Sequence, residues 1–365
     1  MGVYLLKRIA LILPTLFGII LICFTLTLFL PGGPVEQIIA QVTMGNISTT
    51  AGISGGGDSG VQSSGADSSA VGTELGSYGL DPELIADLER QFGFDKPWYE
   101  RLGTMLVNYL QLELGTSYYQ DRPVLELILE RMPISISLGL WSVLLIYGIS
   151  IPLGVAKAVR DGSRFDFWTS SAIFVGYAIP GFIFAVLLIV VFAGGNYFDI
   201  FPLRGLVSEN WRELSWPNRI TDYFWHLTLP IMAMTIGGYA TLTMLTKNSF
   251  MEEIGKQFVL TARAKGLTER RVLYGHVFRN AMLIIIAGFP AAFVGVFFTQ
   301  SVLIEVIFSL DGMGLLSYEA VIKRDYPILM GTVFCFTLIG LVMHLVGDLT
   351  YVFVDPRIDF ETRGD

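Results

Sequence analysis

Six stretches of the chain stay predominantly apolar for at least 19 residues each, with polar turns between them. They cover residues 9–30, 134–159, 167–193, 227–245, 281–303 and 328–354. About 20 helical residues cross a bilayer core of roughly 30 Å, and a helix satisfies its own backbone in lipid. Each stretch is therefore predicted as a membrane span. Pro14, Pro152, Pro180, Pro230 and Pro290 lie within or near the start of five of them, which predicts kinked helices packed in a bundle. Between the first two spans the pattern changes twice. Residues 45–77 are rich in Gly and Ser with no aromatic or basic residue, too little apolar surface to offset the entropy of ordering, so a flexible tract is expected. Asp81-Pro82-Glu83 then reads as a helix start, with Leu84, Leu88 and Phe92 at helical spacing. A second stripe, Trp98, Leu102, Met105, Tyr109 and Leu112, keeps the same period up to Gly115.

Composition sharpens the class. The chain is 53% hydrophobic and 15% charged over 365 residues, where a soluble domain carries about 25% charged residues. Cys23 and Cys335 both fall inside spans and read as small apolar fillers; no disulfide framework and no metal site is expected. The net charge of −8 matters less than its distribution. No Lys or Arg occurs from Ile9 to Glu89, whereas seven (Lys247, Lys256, Arg263, Lys265, Arg270, Arg271, Arg279) against three acids lie between spans four and five. Lys157, Arg160 and Arg164 flank the turn between spans two and three. The positive-inside rule puts both connections and both termini in the cytoplasm, and residues 31–130 and 194–225 outside. The apolar run after Lys7-Arg8 exceeds a signal peptide's and lacks a small-x-small site, so an uncleaved anchor is expected.

Chemistry-bearing patterns are few. Gly52-Ile53-Ser54-Gly55-Gly56 and Gly57-Asp58-Ser59-Gly60 match hydrolase signatures but lie in low-complexity sequence without the strand–turn–helix frame such a nucleophile needs. That argues against an intramembrane serine protease and leaves no catalytic residue. His344 and Asp348, four apart, share a face of the last span, and an ionisable pair in a membrane helix is the mark of a proton-coupled carrier. Their closeness to the cytoplasmic Asp355-Pro356 favours a structural pair. His226 and His276 read as interfacial hydrogen-bonders, and Trp141, Trp168, Trp211, Trp216 and Trp225 as interface anchors. Tyr239, Thr241 and Thr243 in span four and Thr299, Gln300 and Ser301 in span five are the candidate lining of a substrate path. No Gly-x-x-x-x-Gly-Lys-Ser/Thr loop is present, so the chain holds no nucleotide by that route.

The cytoplasmic loop carries the most specific pattern. Phe258-Val-Leu-Thr-Ala-Arg-Ala-Lys-Gly-Leu267, followed by His276-Val-Phe-Arg-Asn-Ala281, resembles the coupling loop of ABC importer permeases of the oligopeptide, dipeptide and nickel branch. Leu5-Leu6-Lys7-Arg8, the Pro31–Pro34 turn, Glu305-x-x-Phe308 with Gly312-Met313-Gly314, Arg324-Asp325-Tyr326-Pro327 and Asp355-Pro356-Arg357 carry the likeness along nearly the whole chain. The Gly/Ser tract, Gly162-Ser163-Arg164-Phe165-Asp166 and Phe201-Pro202-Leu203-Arg204-Gly205 are similar to the Yej-type peptide importers within that branch. The general loop's leading acid is absent here, Leu260-Thr261-Ala262 standing where Glu-Ala-Ala would, as is usual in the peptide branch.

The resemblance implies an all-α polytopic membrane protein with six transmembrane helices, a type I ABC importer permease fold, and a partly helical periplasmic segment between helices 1 and 2. It divides the chain into a first helix (1–30), a periplasmic segment (31–130), a permease core (131–355, with coupling loop 248–280) and a cytoplasmic tail (356–365). It implies an inner-membrane subunit that binds no cofactor, ATP and Mg being held by partners. Those partners are a second homologous permease, two cytoplasmic ABC ATPase domains and a periplasmic peptide-binding protein. Lipid surrounds the chain, and no nucleic acid is expected. Short peptides would be the substrate, with peptide-nucleotide antibiotics among them. Leu260, Thr261, Ala262, Arg263, Ala264, Lys265 and Gly266 would form the helix that docks on the ATPase. Small Ala262 and Ala264 would permit close approach, Arg263 and Lys265 would meet acids, and Gly266 would end the helix in a left-handed conformation.

Overall fold

The computed structural model describes residues 2–29, 96–195, 197–295 and 301–354. Its helices are α1 (Gly2–Phe29), α2 (Trp98–Leu110), α3 (Val124–Val159), α4 (Arg164–Ala178), α5 (Gly181–Phe192), α6 (Trp216–Thr235), α7 (Gly238–Ile254), α8 (Gln257–Ala264), α9 (Glu269–Val272), α10 (Phe278–Gly295), α11 (Ser301–Ile307), α12 (Met313–Lys323) and α13 (Tyr326–Val354). A five-residue π-helical turn, Leu273–Val277, joins α9 to α10. Among the described residues the only extended pairing is an isolated bridge between Thr116 and Pro123. The expectations for residues 31–95, including the Gly/Ser tract and the helix start at Asp81, and for the tail 356–365 lie outside the described residues.

Among the described residues, four unbroken helical runs are long and apolar enough to cross a membrane: one in α1, α3, α9 through α10, and one in α13. The other two spans are bent. The third span, expected to be continuous over 167–193, is instead two helices, α4 and α5, meeting at 92°. The cause is Pro180: the residue before a proline is pushed out of helical torsions, and Ile179 sits at φ −88°, ψ 117°. The fourth span bends by 59° between α6 and α7. Counting each bent pair once gives the six expected spans. Pro14, Pro152, Pro230 and Pro290 lie inside continuous helices. Other boundaries shift as well. α3 begins at Val124, before the expected core boundary, and α7 runs to Ile254, so most of 248–280 is helical rather than loop. The stripe from Trp98 stops at Leu110, because Leu112 turns to φ 62°.

The chain forms two compact units, residues 1–16, 126–319 and 332–365 in one, and 17–125 and 320–331 in the other. In the first, Leu138, Ala185, Leu188, Leu227, Ile304 and Phe308 belong to one apolar cluster drawn from α3, α5, α6 and α11. A second cluster joins Val155 and Ala158 of α3 to Phe250 of α7, Val259 and Ala262 of α8, Val272, Val277 and Ala281. Tryptophans bond across elements: Trp141 Nε1 donates to the Tyr223 hydroxyl at 3.1 Å, and Trp225 Nε1 to the Ile200 carbonyl at 3.1 Å. Buried His226 has Nδ1 2.9 Å from the Asp222 carbonyl, the local hydrogen-bonding role expected of it. Arg8 of α1 lies 3.1 Å from Asp348 of α13, while His344 is exposed.

In the second unit, buried Asp325 accepts a 2.5 Å hydrogen bond from the Ser117 hydroxyl, and the Tyr118 amide lies 3.4 Å from its other oxygen. This fixes the Arg324-Asp325-Tyr326-Pro327 motif at the entry to α13 against the 113–123 loop. Burial, then the Asp325 charge, pushes the Tyr118 phenol up to about 12, so it stays neutral.

Candidate functional site

The loop singled out by sequence folds into a short helix between two spans. Lys256, at ψ 153°, breaks from α7 and starts α8. Its ammonium pairs with Glu253, whose other oxygen is 3.5 Å from Asn280 Nδ2 of α10. Ser249 of α7 donates to the Ala281 carbonyl of α10 at 2.7 Å. The base of α8 is thus held by the two helices that flank it.

The far end is closed by the backbone. The Gly266 amide donates to the Arg263 carbonyl at 2.9 Å, and the Leu267 amide to the Ala262 carbonyl at 3.4 Å. These two bonds define a Schellman motif, which requires a left-handed residue at the first position past the helix. Gly266 has φ 81°, a conformation that costs a residue with a Cβ roughly 1–2 kcal/mol. Arg263 Nε is 2.9 Å from one Glu269 oxygen and its terminal nitrogen 3.0 Å from the other, a two-bond fork that ties α8 to α9.

Helical periodicity sorts the seven candidate residues. Val259 and Ala262, three apart, point into the protein and are buried. Gln257, Leu260, Thr261 and Ala264 lie on the opposite side, all exposed, with Leu260 61% exposed. The role given to Ala262 is therefore corrected: its small size serves packing beneath α8, and Ala264 is the small residue on the outward face. Arg263 is corrected in part, because Glu269 of the same chain already engages it. Lys265 is exposed, and the helix stripe adds Gln257, which the motif alone did not mark. Beside α8 lies a groove of about 370 Å³ whose floor includes Ala158, Val259 and Val272 and whose rim includes Arg263, Glu269 and Arg270.

The substrate-path candidates do not come together as one lining. Residues 239, 241 and 243 alternate, but α7 is helical, so Thr241 is exposed while Thr243 is fully buried with its hydroxyl unpartnered. Tyr239 is half-buried, and its carbonyl accepts from Ser150 of α3 at 3.4 Å. Thr299 and Gln300 lie outside the described residues, and Ser301 is the first residue of α11.

A buried ionic cluster went unmarked in the sequence. Lys157 is fully buried; its ammonium donates to the Asp166 carbonyl at 3.0 Å, the Thr169 hydroxyl at 3.0 Å and the Ser170 hydroxyl at 2.6 Å. It also lies 3.0 Å from Asp166 Oδ1, as an ion pair without hydrogen-bond geometry. Lys247 bonds Asp166 Oδ2 and Asp161 Oδ1, each at 2.7 Å. The signal was present in Gly162-Ser163-Arg164-Phe165-Asp166, whose Ser163 hydroxyl accepts from the Asp166 amide at 3.2 Å to cap α4. Nothing in the one-dimensional pattern brought Lys247 to it, 81 residues on.

Among known proteins, the family described as "Binding-protein-dependent transport system inner membrane component" matches residues 150–360. The chain is 58% identical over 363 residues to the "Peptidoglycan transport system permease protein YejB" of Agrobacterium fabrum, covering all of both chains. It is 55% identical over 367 residues to the "Inner membrane ABC transporter permease protein YejB" of Escherichia coli O157:H7, again covering all of both. Against the "Oligopeptide transport system permease protein AppB" of Bacillus subtilis it is 35% identical over 286 residues, 77% of this chain and 88% of that one.

Proposed function

Because the chain belongs to the family of binding-protein-dependent transport system inner membrane components, we propose that it forms half of the translocation path of an ATP-driven importer of short peptides. A second, homologous permease supplies the other half. Two cytoplasmic ABC ATPase domains bind ATP and Mg, and a periplasmic peptide-binding protein delivers the substrate. Both termini face the cytoplasm, as the Lys and Arg distribution supports. Peptidoglycan-derived and other short oligopeptides are the substrate class, in line with the names of the Agrobacterium and Bacillus relatives.

One observation carries the mechanical part of this reading. α8 is a short helix anchored on its inner face and capped at its end, and it presents Leu260 and Ala264 outward. Burying a leucine side chain stabilises a contact by about 1.5–3 kcal/mol, so this stripe is suited to a groove on a soluble partner. Motion of that partner would pass through Lys256 into α7 and through the Arg263–Glu269 fork into α9 and α10. A proton-coupled carrier is the rival reading, and the pairing of Asp348 with Arg8 supports a structural role for the acid instead.

The test is uptake of a radiolabelled tripeptide into proteoliposomes holding both permeases and the ATPases, with the binding protein added. The expected result is uptake that requires ATP and the binding protein and is unchanged by a protonophore. Uptake that runs without ATP and collapses with the protonophore would replace the importer reading by the carrier.

A further inference from the structure

The Lys157–Asp166–Lys247–Asp161 cluster joins three helices where coupling motion must enter the membrane part of the chain. Lys157 is in the last turn of α3, Asp166 in the first turn of α4, Lys247 on α7, and Asp161 in the turn between α3 and α4. Two ammonium groups face two carboxylates, so the cluster is neutral as a whole. Asp166 is its centre, accepting from Lys247 and from the Gly162 amide at 3.3 Å while lying beside Lys157. A charge taken out of water persists only when paired and hydrogen-bonded, which fixes these partners relative to one another. A second, independent contact lies about one turn away. A Cβ at Gly154 of α3 would fall 2.5 Å from Thr246 Cβ and 2.8 Å from the Thr243 carbonyl of α7, so the two helices touch backbone to backbone.

We propose that Lys247 and Asp166 are positioning residues that lock α7 to α3 and α4, so that displacement of α8 moves all three helices as one body. This rests on the importer reading and deepens it by naming where the motion branches. α7 receives the push directly, being joined to α8 through Gly255 and Lys256. α3 also shares a packed apolar cluster with α8, Val155 and Ala158 with Val259 and Ala262, and Lys247 adds the ionic link that carries the motion to α4 and the end of α3. Without that link, α4 and the end of α3 would no longer follow α7 rigidly, and nucleotide turnover would move the path far less.

The experiment uses the complete reconstituted complex and measures peptide taken up per ATP hydrolysed. Lys247→Met removes the α7 cation while leaving Asp166 paired with Lys157, and Asp161 is exposed enough to be solvated. The expected result is a complex of normal abundance whose uptake per ATP falls at least about tenfold, 1.4 kcal/mol of coupling, with loss of stimulation by loaded binding protein. Lys247→Arg, whose guanidinium can reach both carboxylates, restores most of the ratio. A merely structural role would lower uptake and hydrolysis together with abundance and leave the ratio intact; that outcome, or a wild-type ratio in Lys247→Met, overturns the proposal. If Lys247→Met fails to accumulate, Lys247→Gln, which removes the charge but keeps a hydrogen-bond donor, decides, with a reduced ratio expected and an unchanged one contradicting. A wild-type complex with no ATP-driven uptake would instead remove the importer reading.

Discussion

The fully buried Glu305 accepts a 2.8 Å hydrogen bond from the hydroxyl of Ser135, 170 residues earlier in the chain. The same hydroxyl accepts from the Met313 amide at 2.8 Å, and the Leu315 amide donates to the other Glu305 oxygen at 2.8 Å. The side chain of Glu305 thus binds the Leu315 amide directly and the Met313 amide through Ser135, in the first turn of α12, as carboxylates do at helix starts, and Gly312 leaves room for it, since a Cβ there would fall 2.5 Å from the carboxylate. Ser135→Ala leaves the buried Met313 amide without its acceptor. A loss of about 1–3 kcal/mol follows, read as a lower unfolding midpoint of the purified protein in detergent. An unchanged midpoint would mean this contact adds nothing to stability.

Arg8 and Asp348 tie the first helix to the last within one unit. Removing either charge should destabilise by similar amounts, and the double variant Arg8→Ala/Asp348→Ala should cost less than the sum of the two. The thermodynamic cycle reads this coupling directly. His344→Gln, by contrast, should leave uptake and its insensitivity to a protonophore unchanged. A large uptake loss in His344→Gln would revive the proton-carrier reading.

The two faces of α8 give opposite phenotypes. Ala264→Arg puts bulk on the exposed stripe and should leave membrane abundance normal while abolishing ATPase co-purification and uptake. Ala262→Arg forces a charge into the cluster beneath α8 and should instead lower abundance, since an unpaired charge buried there costs several kcal/mol. Quantitative blotting of membranes and pull-downs separate the two. Identical behaviour of both variants would contradict the orientation of the helix.

Sidedness follows from the basic loops. A cysteine replacing exposed Glu209, in the connection before α6, should react with a membrane-impermeant maleimide in intact spheroplasts. One replacing exposed Thr268, between α8 and α9, should react only after lysis. The background is low because Cys335 is buried and Cys23 partly so. Reversed labelling would invert the topology.

The spans were legible because uninterrupted apolar runs of membrane length suit a bilayer and little else, and Gly266 was legible because a basic helix ending in Gly has one common closure. Pro180 was one of five prolines expected to kink a span, but Pro14, Pro152, Pro230 and Pro290 sit in unbroken helices, so proline by itself did not mark the break. The facing of Ala262 was misjudged because a motif names residues without their angular position; counting from Val259 at helical period would have put both inside. The same omission grouped Thr241 with Thr243. The Lys157–Asp166–Lys247 cluster was hidden for a different reason: Lys247 lies 81 residues from Asp166, and each member reads alone as an interfacial charge.

Central to this account is that the outward face of α8 lies against an ATPase. A photo-crosslinking residue in place of Leu260, activated in native membranes containing the assembled complex, tests this directly. The predicted product joins this chain to a protein bearing a Gly-x-x-x-x-Gly-Lys-Ser/Thr phosphate loop, and the same residue in place of Val259 gives no such product. Crosslinks from Leu260 to lipid alone, or only within the chain itself, in a complex that still carries its ATPase, would contradict the account.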